Sequence, residues 1–158
     1  MTREEAEAIV RREGEDILES PGMQLTRTFI QHGSTTVYEH CWNVACRSVM
    51  LACRLKHAVD VRALVRGALL HDYFLYDWHT PHEGHEMHGF RHAKTAWRNA
   101  KRDFALGLIE QDIIRKHMFP LNIAPPIYWE SAIVCLADKM CAVEEMMAEH
   151  AAKRRGCA

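Results

Sequence analysis

The run Val65-Arg66-Gly67-Ala68-Leu69-Leu70-His71-Asp72 decides how this chain is read. Positions 65, 68 and 69, joined to Val61 and Leu64 upstream, recur at the three-and-four spacing of a single helical face. That face then runs onto Asp72, with His71 beside it, so two ionisable groups follow where the apolar stripe would continue. Asp60 can cap the segment, and a helix is predicted over about 61 to 72.

Outward from this run the same periodicity recurs. Helices are predicted over 2 to 19, stopped by Ser20-Pro21-Gly22, and over 21 to 32, ending near Gly33. A long helix spans about 36 to 56, with a cap among Ser34-Thr35-Thr36. Positions 73 to 87 hold aromatics, histidines, Pro81 and Gly84 and read as a loop. Helices follow over about 88 to 102, 107 to 118 and 128 to 153, with an irregular connection around Pro120, Pro125 and Pro126. No segment shows strand alternation, so the predicted fold class is all-α, a helical bundle.

The 158 residues suit a single domain, long enough to fold on an apolar core. The formal net charge is -1 with both signs interspersed, which argues against a nucleic-acid or membrane surface. Lys153-Arg154-Arg155 is read as part of a solvated C-terminal tail over 153 to 158. No apolar segment approaches the ~20 residues of a membrane span, no export signal is visible at the N-terminus, and a cytoplasmic location is expected. The cysteines at 41, 46, 53, 135, 141 and 157 form no Cys-x-x-Cys pair and read as reduced, mostly buried thiols.

The functional signal lies in polar residues on apolar faces. In the 36 to 56 helix the stripe is Val37, Cys41, Val44, Ser48, Leu51, Ala52 and Leu55, and His40 points into it. In the 107 to 118 helix Leu106, Ile109 and Ile113 lead to His117. In the last helix Val134 and Cys135 lead to Asp138, then Cys141 and Ala142. Each feature alone reads as a satisfied core residue or a cap. Together, four helices aim ionisable groups inward with few inward lysines or arginines to neutralise them, and a bound cation resolves the conflict.

The order of a lone His40, the His71-Asp72 doublet and a distant Asp138 resembles the HD superfamily of metal-dependent phosphohydrolases, over roughly residues 28 to 148. The stretch His88-Gly89-Phe90-Arg91-His92-Ala93 matches a family pattern in which the first histidine is a ligand, which gives His88, with His92 as the alternative. His117 matches a further ligand. The set is similar to the HD proteins that hydrolyse diadenosine tetraphosphate. The Gly-Tyr-Pro motif of the cyclic-dinucleotide phosphodiesterases is absent, as is the Glu-Asp pair of the guanosine tetraphosphate hydrolases. The run from His71 to Trp78 looks like a little-characterised bacterial subgroup.

The resemblance implies one or two divalent transition metals, with Mn, Fe, Co, Ni or Zn suited to mixed nitrogen and oxygen donors. Asp72 would bridge them, with His40, His71 and Asp138 on one and His88 with His117 on the other. Asp72 and Lys139 are the expected catalytic residues, and Arg91, Lys94 and Arg98 the expected substrate contacts, with Lys94 and Arg98, four apart, lining the pocket mouth. Phe74, Tyr76 and Trp78 read as core packing or as a base-stacking surface, and His79, His82 and His85 as a lid. The expected substrate is a small phosphorylated molecule, nucleotide in character, and a homodimer is left open. A di-iron oxygenase and a non-catalytic metal-binding or ligand-sensing module are the competing classes.

Overall fold

The computed structural model describes residues 1–56, 58–77 and 88–156, and the side chains of all of these except 88–90, 155 and 156. The described residues hold seven α-helices, one 3-10 turn and one short hairpin. The helices are α1 (Arg3–Leu18), α2 (Pro21–Leu25), α3 (Val37–Leu55), α4 (Val61–Leu70), α5 (His88–Asp103), α6 (Leu108–Lys116) and α7 (Trp129–Gly156). The fold is all-α, as the periodicity predicts.

The central element is α4, packed against α1, α3, α5, α6 and α7. The Asp60 carboxylate accepts from the Ala63 N–H at 2.9 Å and starts the helix. Leu64, Val65, Ala68, Leu69 and Leu70 are all buried. Gly67 lets α6 come close: a Cβ there would lie 2.4 Å from Cδ1 and 3.0 Å from Cβ of Ile113. That approach brings the end of α6, and with it His117, alongside the end of α4. Thr36 caps α3 by accepting from the Glu39 N–H, while the Glu39 carboxylate accepts from the Thr36 N–H.

Several boundaries differ from the sequence expectation. The predicted helix over 21 to 32 stops at Leu25, becomes a 3-10 turn over Thr26–Thr28 and then a strand, β1 (Ile30–His32). The Thr26 and Thr28 hydroxyls donate to the carbonyls of Met23 and Leu25, a local alternative to continuing the helix. Strand β1 pairs antiparallel with β2 (Thr35–Thr36). Gly33 has a φ of 58°, the left-handed conformation this turn needs. Strands of three and two residues are too short to show alternation, which is why the hairpin escaped a reading by pattern. Helix α4 ends at Leu70, so His71 and Asp72 stand just beyond it. Helix α7 continues through Lys153-Arg154-Arg155, which was expected to be a tail. Leu55 and Cys53 are exposed rather than buried. No described helix is long and apolar enough to cross a membrane.

Candidate metal centre

The end of α4 places Asp72 by a tight turn: the Tyr73 N–H donates to Leu70 O and the Phe74 N–H to Asp72 O. Asn99 on α5 holds this turn, its amide donating to the Tyr73 and Phe74 carbonyls at 3.1 and 2.9 Å. Tyr73 and Phe74 are fully buried, and Phe74 packs edge-on to His92 at 6.1 Å. Phe74 is therefore core packing rather than a stacking surface. Trp78, His79, His82 and His85 lie outside the described residues.

Around Asp72 the helices converge. Oδ2 lies 3.5 Å from His71 Nε2 and 3.9 Å from His40 Nε2. Asp138 Oδ1 lies 3.1 Å from His40 Nε2 and 3.7 Å from His71 Nε2. On the other side, Asp72 Oδ1 is 3.3 Å from His92 Nε2 and 3.5 Å from His117 Nε2. The structure thus brings together His40, His71, Asp72, His92, His117 and Asp138, all buried. His88 opens α5, and its side chain lies outside the described residues.

The ring nitrogens facing away from the cluster fix the tautomers. His71 Nδ1 lies 2.7 Å from Ala68 O and His117 Nδ1 lies 2.9 Å from Ile114 O. A carbonyl only accepts, so both Nδ1 atoms carry hydrogen. His40 Nδ1 is 2.9 Å from Glu145 Oε2, and it too donates. In the neutral form, which a metal ligand must take, each ring presents a lone pair at Nε2, directed at carboxylate oxygens or at another ring. His92 and His117 approach Nε2 to Nε2 at 2.9 Å. Lone pairs and carboxylates pointed at a common centre repel unless a cation stands between them. Among the described residues His71 Nε2 and Asp72 Oδ1 are buried without a hydrogen-bond partner. These donors suit a metal by type and direction: two groups, His40-His71-Asp72 and Asp72-His92-His117, offer ligand atoms all within 4.8 Å of one another.

The titration behaviour has the same origin. Burial alone would lower His40, but Asp138 and Glu145 on its two nitrogens carry it up to about 10. Burial would raise Asp72, yet His71, His117 and His92 hold its carboxyl well below the usual range. Asp138 is likewise depressed, by His40 and His71 against the effect of burial. His117, fully buried, moves the other way and is lowered by desolvation. Protons substitute here for the positive charge that the carboxylates demand.

Three neighbours were not singled out from sequence. Glu145 orients His40, and its signal was there: it lies seven residues, two turns, beyond Asp138 on the same helix face. Gln31 donates from Nε2 to Asp72 Oδ2 at 2.6 Å, and His32 packs edge-on to His40 at 5.6 Å. Both sit on the unanticipated hairpin, so no helical pattern could reveal them. His32, His40 and Glu145 form a third group of nearby donors.

A cavity of about 530 Å³ opens onto the cluster, with Met118, Pro120, Leu121 and Ala142 as its apolar wall and Gln31, His32 and Lys139 at its edge. The expected substrate contacts are placed differently. Arg91, Lys94 and Arg98 are exposed on α5, and none lines this cavity. Their exposed face follows from the buried one: Ala93, Ala96 and Ala100 turn inward and leave the cations outside. Lys139 does line the cavity, but its Nζ donates to His117 O at 3.0 Å and Cys135 O at 3.2 Å and lies 3.1 Å from Cys135 Sγ. Its three N–H groups are thereby engaged within the protein.

The HD domain family model matches residues 37–143. The chain belongs to the HD domain family. No curated protein and no solved structure shows significant similarity to it. HD domains bind divalent metals and are generally hydrolases of the metal-dependent phosphohydrolase superfamily. The matched segment of this HD domain runs from the first residue of α3 into α7 and contains every residue of the cluster around Asp72.

Proposed function

We propose that this HD domain is a phosphohydrolase for a small phosphorylated molecule, a nucleotide in the first instance, with Asp72 shared between two divalent metals. The observation that carries the reading is the division of Asp72: Oδ2 faces His40 and His71, with Asp138 beside them, and Oδ1 faces His92 and His117. In this reading His92, the alternative to His88 in the family pattern, is the ligand beside Asp72 Oδ1. Divalent metals held there would supply a water of lowered pKa and Lewis acidity toward phosphoryl oxygens.

The chain's own residues supply orientation and exclusion of water. Gln31 holds one oxygen of Asp72, and Ala68, Ile114 and Glu145 hold three imidazoles in the tautomer that leaves Nε2 available. A cavity of about 530 Å³ lies within the range of small-molecule sites, and Met118, Pro120 and Leu121 give it an apolar wall. Lys139 serves as a fixed positive charge beside the cluster, bound to the His117 carbonyl.

The test is metal analysis of the purified protein paired with a phosphoester panel that includes mononucleotides and diadenosine tetraphosphate. The expected result is bound transition metal and phosphate release that a chelator removes and added metal restores. Bound metal with no phosphate released under any metal would assign the centre to structure or sensing. Iron with a product that forms only under oxygen would assign it to the di-iron class.

A further inference from the structure

Helix α7 has two apolar faces, and the described residues cover only one. Asp138, Ala142 and Glu145 share the face turned to the metal centre, together with buried Val134 and Cys141. At 100° per residue, Trp129, Leu136, Met140, Val143 and Met147 lie on the opposite side of the same helix. These five side chains are between 37% and 66% exposed. A helix apolar on both sides is the pattern of one buried on both sides. The spacing of the outward face, 136, 140, 143, 147, then His150 and Arg154, alternates by four and three, as in a helix seam.

We propose that this face of α7 packs antiparallel against α7 of a second copy of the chain. Size supports this occupant. With Met146 at its edge, the stripe exposes roughly 650 Å² per copy, or about 1,300 Å² for a pair, within the range of specific interfaces. Self-complementarity supports it as well. A two-fold axis between Met140 and Val143 sets Met140 against the partner's Val143 and Leu136 against the partner's Met147, each contact occurring twice. The same register places Arg154 against the partner's Trp129, a cation on an aromatic ring. A parallel pairing would instead set Lys153 and Arg154 against their own copies. A groove of about 470 Å³ between Val143, Met146, Met147 and His150 receives the facing side chains.

Sedimentation velocity and light scattering on the full chain test this, with circular dichroism confirming that each variant folds. The wild type is expected to be dimeric at micromolar concentration. Met140→Lys and Val143→Glu, both on exposed positions, are each expected to give monomers. An equimolar mixture of the two should restore a heterodimer, because the antiparallel register sets the new lysine against the new glutamate. A wild type that stays monomeric at hundreds of micromolar would overturn the proposal and leave the stripe to a different partner. So would a dimer that neither substitution affects, and so would singly monomeric variants whose mixture shows no pairing.

Discussion

Helix α4 carries buried charge at its middle, on Arg66, and leads to a second buried set just beyond its C-terminal end, and the two are resolved in opposite ways. At Arg66 the charge is neutralised by the chain itself. Its Nε donates to Glu110 Oε1 at 3.0 Å and its Nη1 to both Asp16 oxygens at 2.6 Å, while Glu110 Oε2 accepts from the Gly107 N–H. Six residues on, Asp72 and His71 have no lysine or arginine against them among the described residues. They meet imidazole lone pairs and Asp138, and leave His71 Nε2 and Asp72 Oδ1 without a hydrogen-bond partner there. A buried ion set that closes on itself is a staple. One that converges yet stays electrically incomplete is a place for something the chain does not encode.

Substitutions at Arg66 and at Asp72 should therefore separate stability from metal binding. Asp72→Ala is expected to reduce hydrolysis to background and to strip the metal, since one carboxylate serves both halves of the centre. The helical circular dichroism should persist, because the apolar core is elsewhere. Loss of the fold together with the metal would make the set around Asp72 a staple too. Arg66→Ala should do the reverse. It leaves Glu110 buried and unpaired, costing about 3–5 kcal/mol in denaturant unfolding, with metal content per folded chain unchanged. If metal content fell in proportion, the two buried sets would be coupled rather than distinct.

Glu145→Gln sharpens the comparison within the set around Asp72. The amide can still accept from His40 Nδ1 but no longer adds negative charge, and metal affinity should fall about 10- to 100-fold by competition titration. An unchanged affinity would show that Glu145 only fills space. The smallest effect belongs to Asp112, a self-contained ion set like that of Arg66. Its Oδ1 pairs with Lys116 at 2.7 Å and its Oδ2 accepts from the Ile127 N–H at 2.9 Å, pinning the connection before α7. Burial would raise this carboxyl, but Lys116 and Ile127 hold it below its ordinary 3.8. A depressed folded value means that its stabilisation is complete above the unfolded value and lost as the pH falls through the folded one. Asp112→Asn should cost on the order of 1 kcal/mol at neutral pH and flatten the acid limb of the stability curve below about pH 4.

Much of the centre was legible because helical periodicity is a local property. His40, His71, Asp72, His117 and Asp138 each interrupt an apolar stripe of their own segment, and a stripe can be read without knowing its neighbours. His92 was legible only as an alternative, since the pattern fixed the helix and left its rotation open. Gln31 and His32 were invisible, because the hairpin that carries them is too short to have a pattern. Arg66 was hidden by its own helix. It sits among buried apolar residues, and only Asp16 from α1 and Glu110 from α6, 50 and 44 residues away in sequence, show why it can stay charged there.

The sequence by itself determined an all-helical chain with ionisable groups on the inner faces of four helices, because composition and spacing set which side of each helix seeks the core. Only the tertiary structure decided which of those groups meet and on which oxygen of Asp72. It also decided which cations are kept out of the cavity and which face of α7 is left bare. Periodicity gives a side chain's direction about its own axis. The distance to another helix, its register and its tilt come from packing, as when Gly67 lets Ile113 approach and carries His117 to the end of α4.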